Sequence, residues 1–199
     1  IQMGTIAPNE SRDLLDSVTA AGGQYLEVTV LGSIPQVKDG SLIVMVGSTA
    51  AQFQQWRPLF DDMGTQVRHI GSVGAGAGVK LAMNQLIGSL TNAFALSLGL
   101  VQRENIDVET FMDIVRNSAL YAPTFDKKLD RMCDRNFANP NFPTKHLLKD
   151  MRLFSQAANE AGLSPQLVDS VAAIAEAAIA QGLADQDYSA LYAAVNPAE

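Results

Sequence analysis

From Val79 to Glu104 the chain reads VKLAMNQLIGSLTNAFALSLGLVQRE, with apolar residues recurring every three or four positions and falling on nearly every face of a helix. A helix without a polar side persists only when other elements cover it, so this segment requires an all-α region built around a long central helix. Directly before it stands Gly71-Ser72-Val73-Gly74-Ala75-Gly76-Ala77-Gly78, and ahead of that cluster the hydrophobic period is two. The glycines mark the junction between two kinds of structure.

Upstream, strand and helix signals alternate. Pro8 to about Ala21 reads as a helix, with Asn9 or Ser11 able to cap its free amides and Gly22-Gly23 ending it. Gln24 to Leu31 (QYLEVTVL) is β-branched and partly alternating, and Asp39-Gly40 turns the chain into the buried run Ser41 to Val46. A helix from about Ala50 to Phe60 and a strand from Gln66 to Ile70 complete what reads as the second half of an α/β sheet domain, with Ile1-Gln2-Met3 entering partway along a strand. Downstream the spacing predicts helices over Val108–Asn117 (capped by Asp107), Phe125–Asn136, Thr144–Ala161 and Gln166–Gln181, with a short last one from Asp187.

Composition excludes several roles. With 47% hydrophobic and 18% charged residues in 199, the chain is an ordered globular protein. A net charge of -7 argues against nucleic acid, whose binding rests on clustered Lys and Arg. No stretch reaches the ~20 apolar residues that span a bilayer, so no membrane role is expected. The single cysteine, Cys133, suits a reducing cytoplasm and reads as structural, although Arg131 and Arg135 could lower its pKa. With two histidines, His69 and His146, and no cluster at ligand spacing, no metal site is expected.

Three features could carry chemistry. The glycine run invites a phosphate-cradling reading, but such a loop needs a βαβ unit, whereas a long apolar helix follows; close packing at a sharp turn is the plainer account. Lys80 and Asn84, four residues apart, share one face near the N-terminus of the central helix and are polar on an apolar stretch. Burial lowers a lysine's pKa toward the range where it trades protons near neutrality, and the positive end of the helix pushes the same way. Equally, Lys80 could reach solvent and Asn84 could be a satisfied core amide. Lys149-Asp150 could likewise be only a charged face of its helix.

Taken in order, these segments resemble the 3-hydroxyisobutyrate dehydrogenase family, the β-hydroxyacid dehydrogenases related to 6-phosphogluconate dehydrogenase. Met3-Gly4-Thr5-Ile6-Ala7-Pro8 is similar to the family's loop beside the nicotinamide ribose, and Glu27 to Ser33 (EVTVLGS) to its substrate loop, usually Asp-Ala-Pro-Val-Ser-Gly-Gly. Asp39 through Gly47 matches the following hairpin, Gly71 to Asn84 the glycine-rich segment with the catalytic lysine and asparagine, and Lys149-Asp150 the lysine-aspartate pair. The resemblance implies an α/β partial Rossmann-type domain over residues 1–73, and an all-α substrate and dimerisation domain with a long central helix over 74–199.

The same resemblance implies an NAD- or NADP-dependent oxidoreductase that interconverts a small hydroxyacid and its aldehyde or keto form. Lys80 is then the proton donor and acceptor, Asn84 orients it, Thr5 and Lys149 meet the cofactor, and Leu31, Gly32, Ser33 and Asp150 meet the substrate. Leu31 departs from the family's usual serine, which leaves the Gly32 and Ser33 amides or the Ser33 hydroxyl to hold a carboxylate. The family's G-x-G-x-x-G strand has no counterpart in this chain, which implies a fragment with little activity by itself. The alternatives are a non-catalytic oligomerisation or interaction module, against which Lys80, Asn84 and Lys149 argue, and an imine reductase, in which that lysine is usually replaced. A homodimer or higher homo-oligomer is expected, because the central helix needs more cover than its neighbours supply.

Overall fold

The structure is a computed structural model and describes residues 1–198. Its elements follow in the order α1 (Pro8–Ala20), β1 (Glu27–Leu31), α2 (Ile34–Lys38), β2 (Ile43–Gly47), α3 (Ala50–Asp61), β3 (Gln66–Gly71), α4 (Ala75–Arg103), α5 (Val108–Arg116), α6 (Pro123–Cys133), α7 (Thr144–Glu160), α8 (Gln166–Ala180), a 3-10 turn (Tyr188–Ala190) and α9 (Leu191–Val195). Packing divides the chain into two compact units, Ile1–Asn84 with Leu153–Pro165, and Gln85–Arg152 with Gln166–Glu199, so that α4 and α7 each contribute to both.

In the first unit the three strands lie in the order β1-β2-β3, with β1 antiparallel and β3 parallel to the central β2. Val28 stands opposite Val46 and Val30 opposite Val44. Both faces of β2 are covered, as a continuous apolar run requires: Val44, Met45 and Val46 are all buried. Leu26, Val28, Leu42, Phe53 and Phe60 complete this core. His69 stacks on Phe53 and donates to the Ser48 carbonyl at 2.9 Å, a packing role. Gln2 bridges to Glu27 in parallel register, so Ile1-Gln2-Met3 does lie along the sheet edge.

Local differences from expectation have simple causes. Helix α1 is capped at Ala7, whose amide donates to Glu10, rather than at Asn9 or Ser11, because Pro8 takes the first helical position. The β1–β2 connection contains the short helix α2, opened by a capping box at Ser33 and Gln36. Helix α4 begins at Ala75, four residues before the sequence pattern suggests, so its first turn is made of the glycine run itself.

The second unit packs Phe94 and Leu98 of α4 against Met112, Phe125, Leu129, Met132 and Tyr192, with Phe94 stacked on Phe125 at 4.7 Å. Gly88 is the point of closest approach, where an added Cβ would stand 3.0 to 3.3 Å from Met151, Val171 and Leu147. Beneath this core lies an ion pair, Lys128 Nζ to Asp187 at 2.7 Å, with both side chains at most 2% exposed. The cover over α4 is incomplete. Leu86, Leu90, Leu96 and Leu100 are 49%, 38%, 62% and 62% exposed and follow one another along the helix, so the helix is not enclosed by its own chain as its composition suggests. Among the described residues no helix is long and apolar enough to cross a membrane.

Candidate active site

The site begins with a buried acid. Glu27, on the inward face of β1, is fully buried, and its carboxylate takes the free amides that start α4: Gly74 N–H donates to Oε2 at 2.9 Å and Ala77 N–H to Oε1 at 3.0 Å. Ser11, also buried, donates its hydroxyl to Oε2 and lies 2.9 Å from the Tyr25 hydroxyl. Three donors converge on one group that can only accept. Glycines make room for it. A Cβ on Gly47 would collide with Glu27, and one on Gly76 would stand 2.8 Å from Oε1. Gly74 adopts φ +96°, and the Arg12 guanidinium occupies the place of its missing side chain at 2.8 Å.

These contacts decide what the glycine run is for. A helix N-terminus binds phosphate through its unsatisfied amides, and here Glu27 takes those of Gly74 and Ala77 while the Ser72 carbonyl takes that of Ala75, so the α4 start is a poor cradle for a pyrophosphate. The same carboxylate offsets the positive end of the helix. Lys80 is half-buried and Asn84, one turn on, is 3% exposed, so the two polar side chains are in phase as their spacing predicts.

Thr5, half-buried, lies on the loop between the Gln2 bridge and α1. Leu31 ends β1, and Gly32 follows at φ +140°, where Leu42 and Gln36 would stand 2.6 and 3.0 Å from any Cβ. Ser33 donates both its amide (2.9 Å) and its hydroxyl (3.0 Å) to the Gln36 side chain. Its two donors serve α2, so holding a substrate carboxylate would first require Gln36 to let go. Thr5, Leu31 to Ser33, Lys80 and Asn84 all belong to the first unit.

Lys149 and Asp150 belong to the second unit. Asp150 is 2% exposed and pairs with the half-exposed Lys149 ammonium at 2.8 Å. Cys133 is exposed, and burial of its sulfur together with Asp134 and Asp130 pushes the thiol up rather than down, the opposite of what Arg131 and Arg135 suggest. The residue that sequence reasoning missed is Glu27. Its signal is an acidic side chain at an inward position of the β-branched run QYLEVTVL, where burial demands partners.

Residues 74–195 match the family model described as NAD-binding of NADP-dependent 3-hydroxyisobutyrate dehydrogenase, and residues 1–71 that of the NAD binding domain of 6-phosphogluconate dehydrogenase. Both are models of nicotinamide-dinucleotide-binding segments, and NAD(P) is the cofactor they imply. A diphosphate does not fit on the first turn of α4, where Glu27 occupies the Gly74 and Ala77 amides.

The chain is 33% identical to glyoxylate/succinic semialdehyde reductase 1 of Arabidopsis thaliana over 98% of its own length and 67% of that protein's. It is 29% identical to the chloroplastic reductase 2 of the same plant, covering all of this chain and 55% of the relative. It therefore spans between about half and two thirds of these relatives. The crystal structure of 3-hydroxyisobutyrate dehydrogenase from Salmonella typhimurium superposes with a TM-score of 0.85 at 23% identity, over 96% of this chain and 67% of that one. On the fold, the two matching models and the relatives together, the chain belongs to the 3-hydroxyisobutyrate dehydrogenase family.

Proposed function

We propose that the chain carries the proton-transfer part of an NAD(P)-dependent oxidoreductase that interconverts a small hydroxyacid and its aldehyde or keto form in the cytoplasm. The observation that carries this reading is the placement of Lys80, half-buried, and Asn84, buried, one turn apart near the start of α4. When bound, the nicotinamide accepts or delivers the hydride. Lys80 supplies the proton to the carbonyl oxygen in reduction and removes it in oxidation, and Asn84 holds the ammonium and the substrate oxygen in line. Thr5 and Lys149 contact the cofactor, while Leu31, Gly32, Ser33 and Asp150 border the substrate. In this reading residues 1–73 are the end of the dinucleotide-binding domain and 74–199 the substrate and dimerisation domain. The uncovered leucines of α4 receive a second copy of the chain, since an apolar stripe of this length is stable in water only when covered.

The test is Lys80→Ala in the full-length protein, assayed with NADH and NADPH against glyoxylate and succinic semialdehyde, and with NAD⁺ and NADP⁺ against 3-hydroxyisobutyrate. Removing a general acid-base group costs about 10² to 10⁴ in kcat, with nucleotide affinity kept. Wild-type turnover in that variant sinks the assignment.

A further inference from the structure

The buried Glu27 has no part in proton transfer as described, yet it and Thr29 on β1 hold the first turn of α4, the helix that carries Lys80. Its two carboxylate oxygens bind different amides of the α4 start, Gly74 through Oε2 and Ala77 through Oε1, so the group bridges the first helical turn rather than capping one point. Two residues along β1, on the same face, the Thr29 hydroxyl lies 3.1 Å from the Gly76 carbonyl and 3.3 Å from that of Met45. In helical geometry the Gly76 carbonyl also receives the amide of Lys80. Strand β1 therefore grips α4 through the peptide groups at 74, 76 and 77, and one of these is hydrogen-bonded to the backbone of Lys80.

The groups around the Glu27 carboxylate are donors to it. Gly47 and Gly76 leave room for Glu27 that any side chain would fill. Ser11 donates to Oε2, and its oxygen accepts from Tyr25, whose hydroxyl is pushed above its ordinary value by burial and by the charge of Glu27. Glutamine has the same shape but would turn an NH₂ toward one of these donors, and aspartate falls one methylene short.

We propose that Glu27, with Thr29, is a positioning residue for proton transfer, setting where Lys80 stands by fixing the first turn of α4 to β1. The proposal rests on the catalytic role given to Lys80 above. A displacement of about 1 Å at a reacting group can cost on the order of 100-fold. The expected losses in kcat are therefore about 10- to 100-fold for Glu27→Gln and about 3- to 10-fold for Thr29→Val, which keeps the shape and loses one hydrogen bond.

The experiment is a set of double-mutant cycles in the full-length protein, with kcat, KM and nucleotide affinity measured for the wild type, Glu27→Gln, Thr29→Val, Lys80→Ala and the two pairs with Lys80→Ala. If Glu27 and Thr29 act through Lys80, both lower kcat while nucleotide affinity stays within about twofold, and both effects vanish once Lys80 is alanine. A merely structural role would lower the residual activity of Lys80→Ala by the same factor as in the wild type, and that result overturns the proposal. So does wild-type kcat in a folded Glu27→Gln. If Glu27→Gln shows no cooperative thermal transition, Thr29→Val decides: a kcat loss that disappears in the Lys80→Ala background supports the proposal, and an unchanged kcat refutes it. The two readings fail separately. An inactive Lys80→Ala beside an unaffected Glu27→Gln removes only the positioning role, whereas a fully active Lys80→Ala removes both.

Discussion

Replacing Asp187 by asparagine leaves the shape of the helical core intact and strands a buried charge. Asp187 accepts two hydrogen bonds from Lys128 Nζ, at 2.7 and 2.9 Å, and two from Ser189, from its amide at 3.1 Å and its hydroxyl at 2.8 Å. The ammonium also lies 4.2 Å from the centre of the Tyr188 ring, so it has no route to solvent without repacking. Burial draws Lys128 below the ordinary lysine value despite its partner, whereas Asp187 stays below the usual carboxylate range because its donors outweigh its own burial. The direction at Asp187 is the one the four hydrogen bonds require.

Breaking a buried pair by removing one partner costs about 3–5 kcal/mol. At about 2–4 °C per kcal/mol for a chain of this size, Asp187→Asn should lower Tm by about 6–20 °C in a far-UV circular dichroism melt. Adding Lys128→Met should recover part of that loss, because the stranded charge is then gone. The sign with pH follows from Asp187. A carboxylate depressed in the folded state contributes stability that is present above its unfolded value of about 3.9 and lost as pH falls through the folded one. The wild type should therefore lose stability below about pH 4 more steeply than Asp187→Asn does. An Asp187→Asn protein melting within about 2–4 °C of the wild type, which corresponds to about 1 kcal/mol, would refute the claim that this pair is desolvated and coupled.

Gly76→Ala places a methyl 2.8 Å from Glu27 Oε1 and 3.2 Å from the Met45 carbonyl, and should cost about 1–3 kcal/mol in urea unfolding; a neutral result would mean that β1 and α4 separate easily. Leu31→Ser supplies a hydroxyl at the end of β1, and a hydrogen bond to a charged group is worth about 1.5–3 kcal/mol. If this loop borders the substrate carboxylate, kcat/KM for succinic semialdehyde should rise about 10- to 100-fold, and an unchanged value argues that the carboxylate lies elsewhere. Leu96→Glu with Leu100→Glu puts two charges on the uncovered face of α4 and should yield monomers in sedimentation velocity, while dimers that survive both changes would move the contact off this helix.

Why the Lys80–Asn84 spacing is legible in the sequence and the contacts of Glu27 are not comes down to range. Lys80 and Asn84 are four residues apart on one helix, so periodicity alone places them together, and the Val79 to Glu104 pattern locates that helix without help from the rest of the fold. The partners of Glu27 lie 16, 47 and 50 residues away at Ser11, Gly74 and Ala77, and no local pattern links them. The same carboxylate explains the misplaced helix start. Each glycine inside a helix costs about 1 kcal/mol against alanine, so a run with Gly76 and Gly78 argues for a loop. What the local rule omits is the bond from Glu27 to Ala77, which anchors that turn, and the space at Gly76 that lets the acid approach. Helix α2 is hidden for a related reason: five residues carry little periodicity, and only the reciprocal pairing of Ser33 with Gln36 holds it. That pairing also occupies both Ser33 donors, the amide and the hydroxyl, so the short element that sequence patterning overlooks decides which groups of the loop after Leu31 are already bonded.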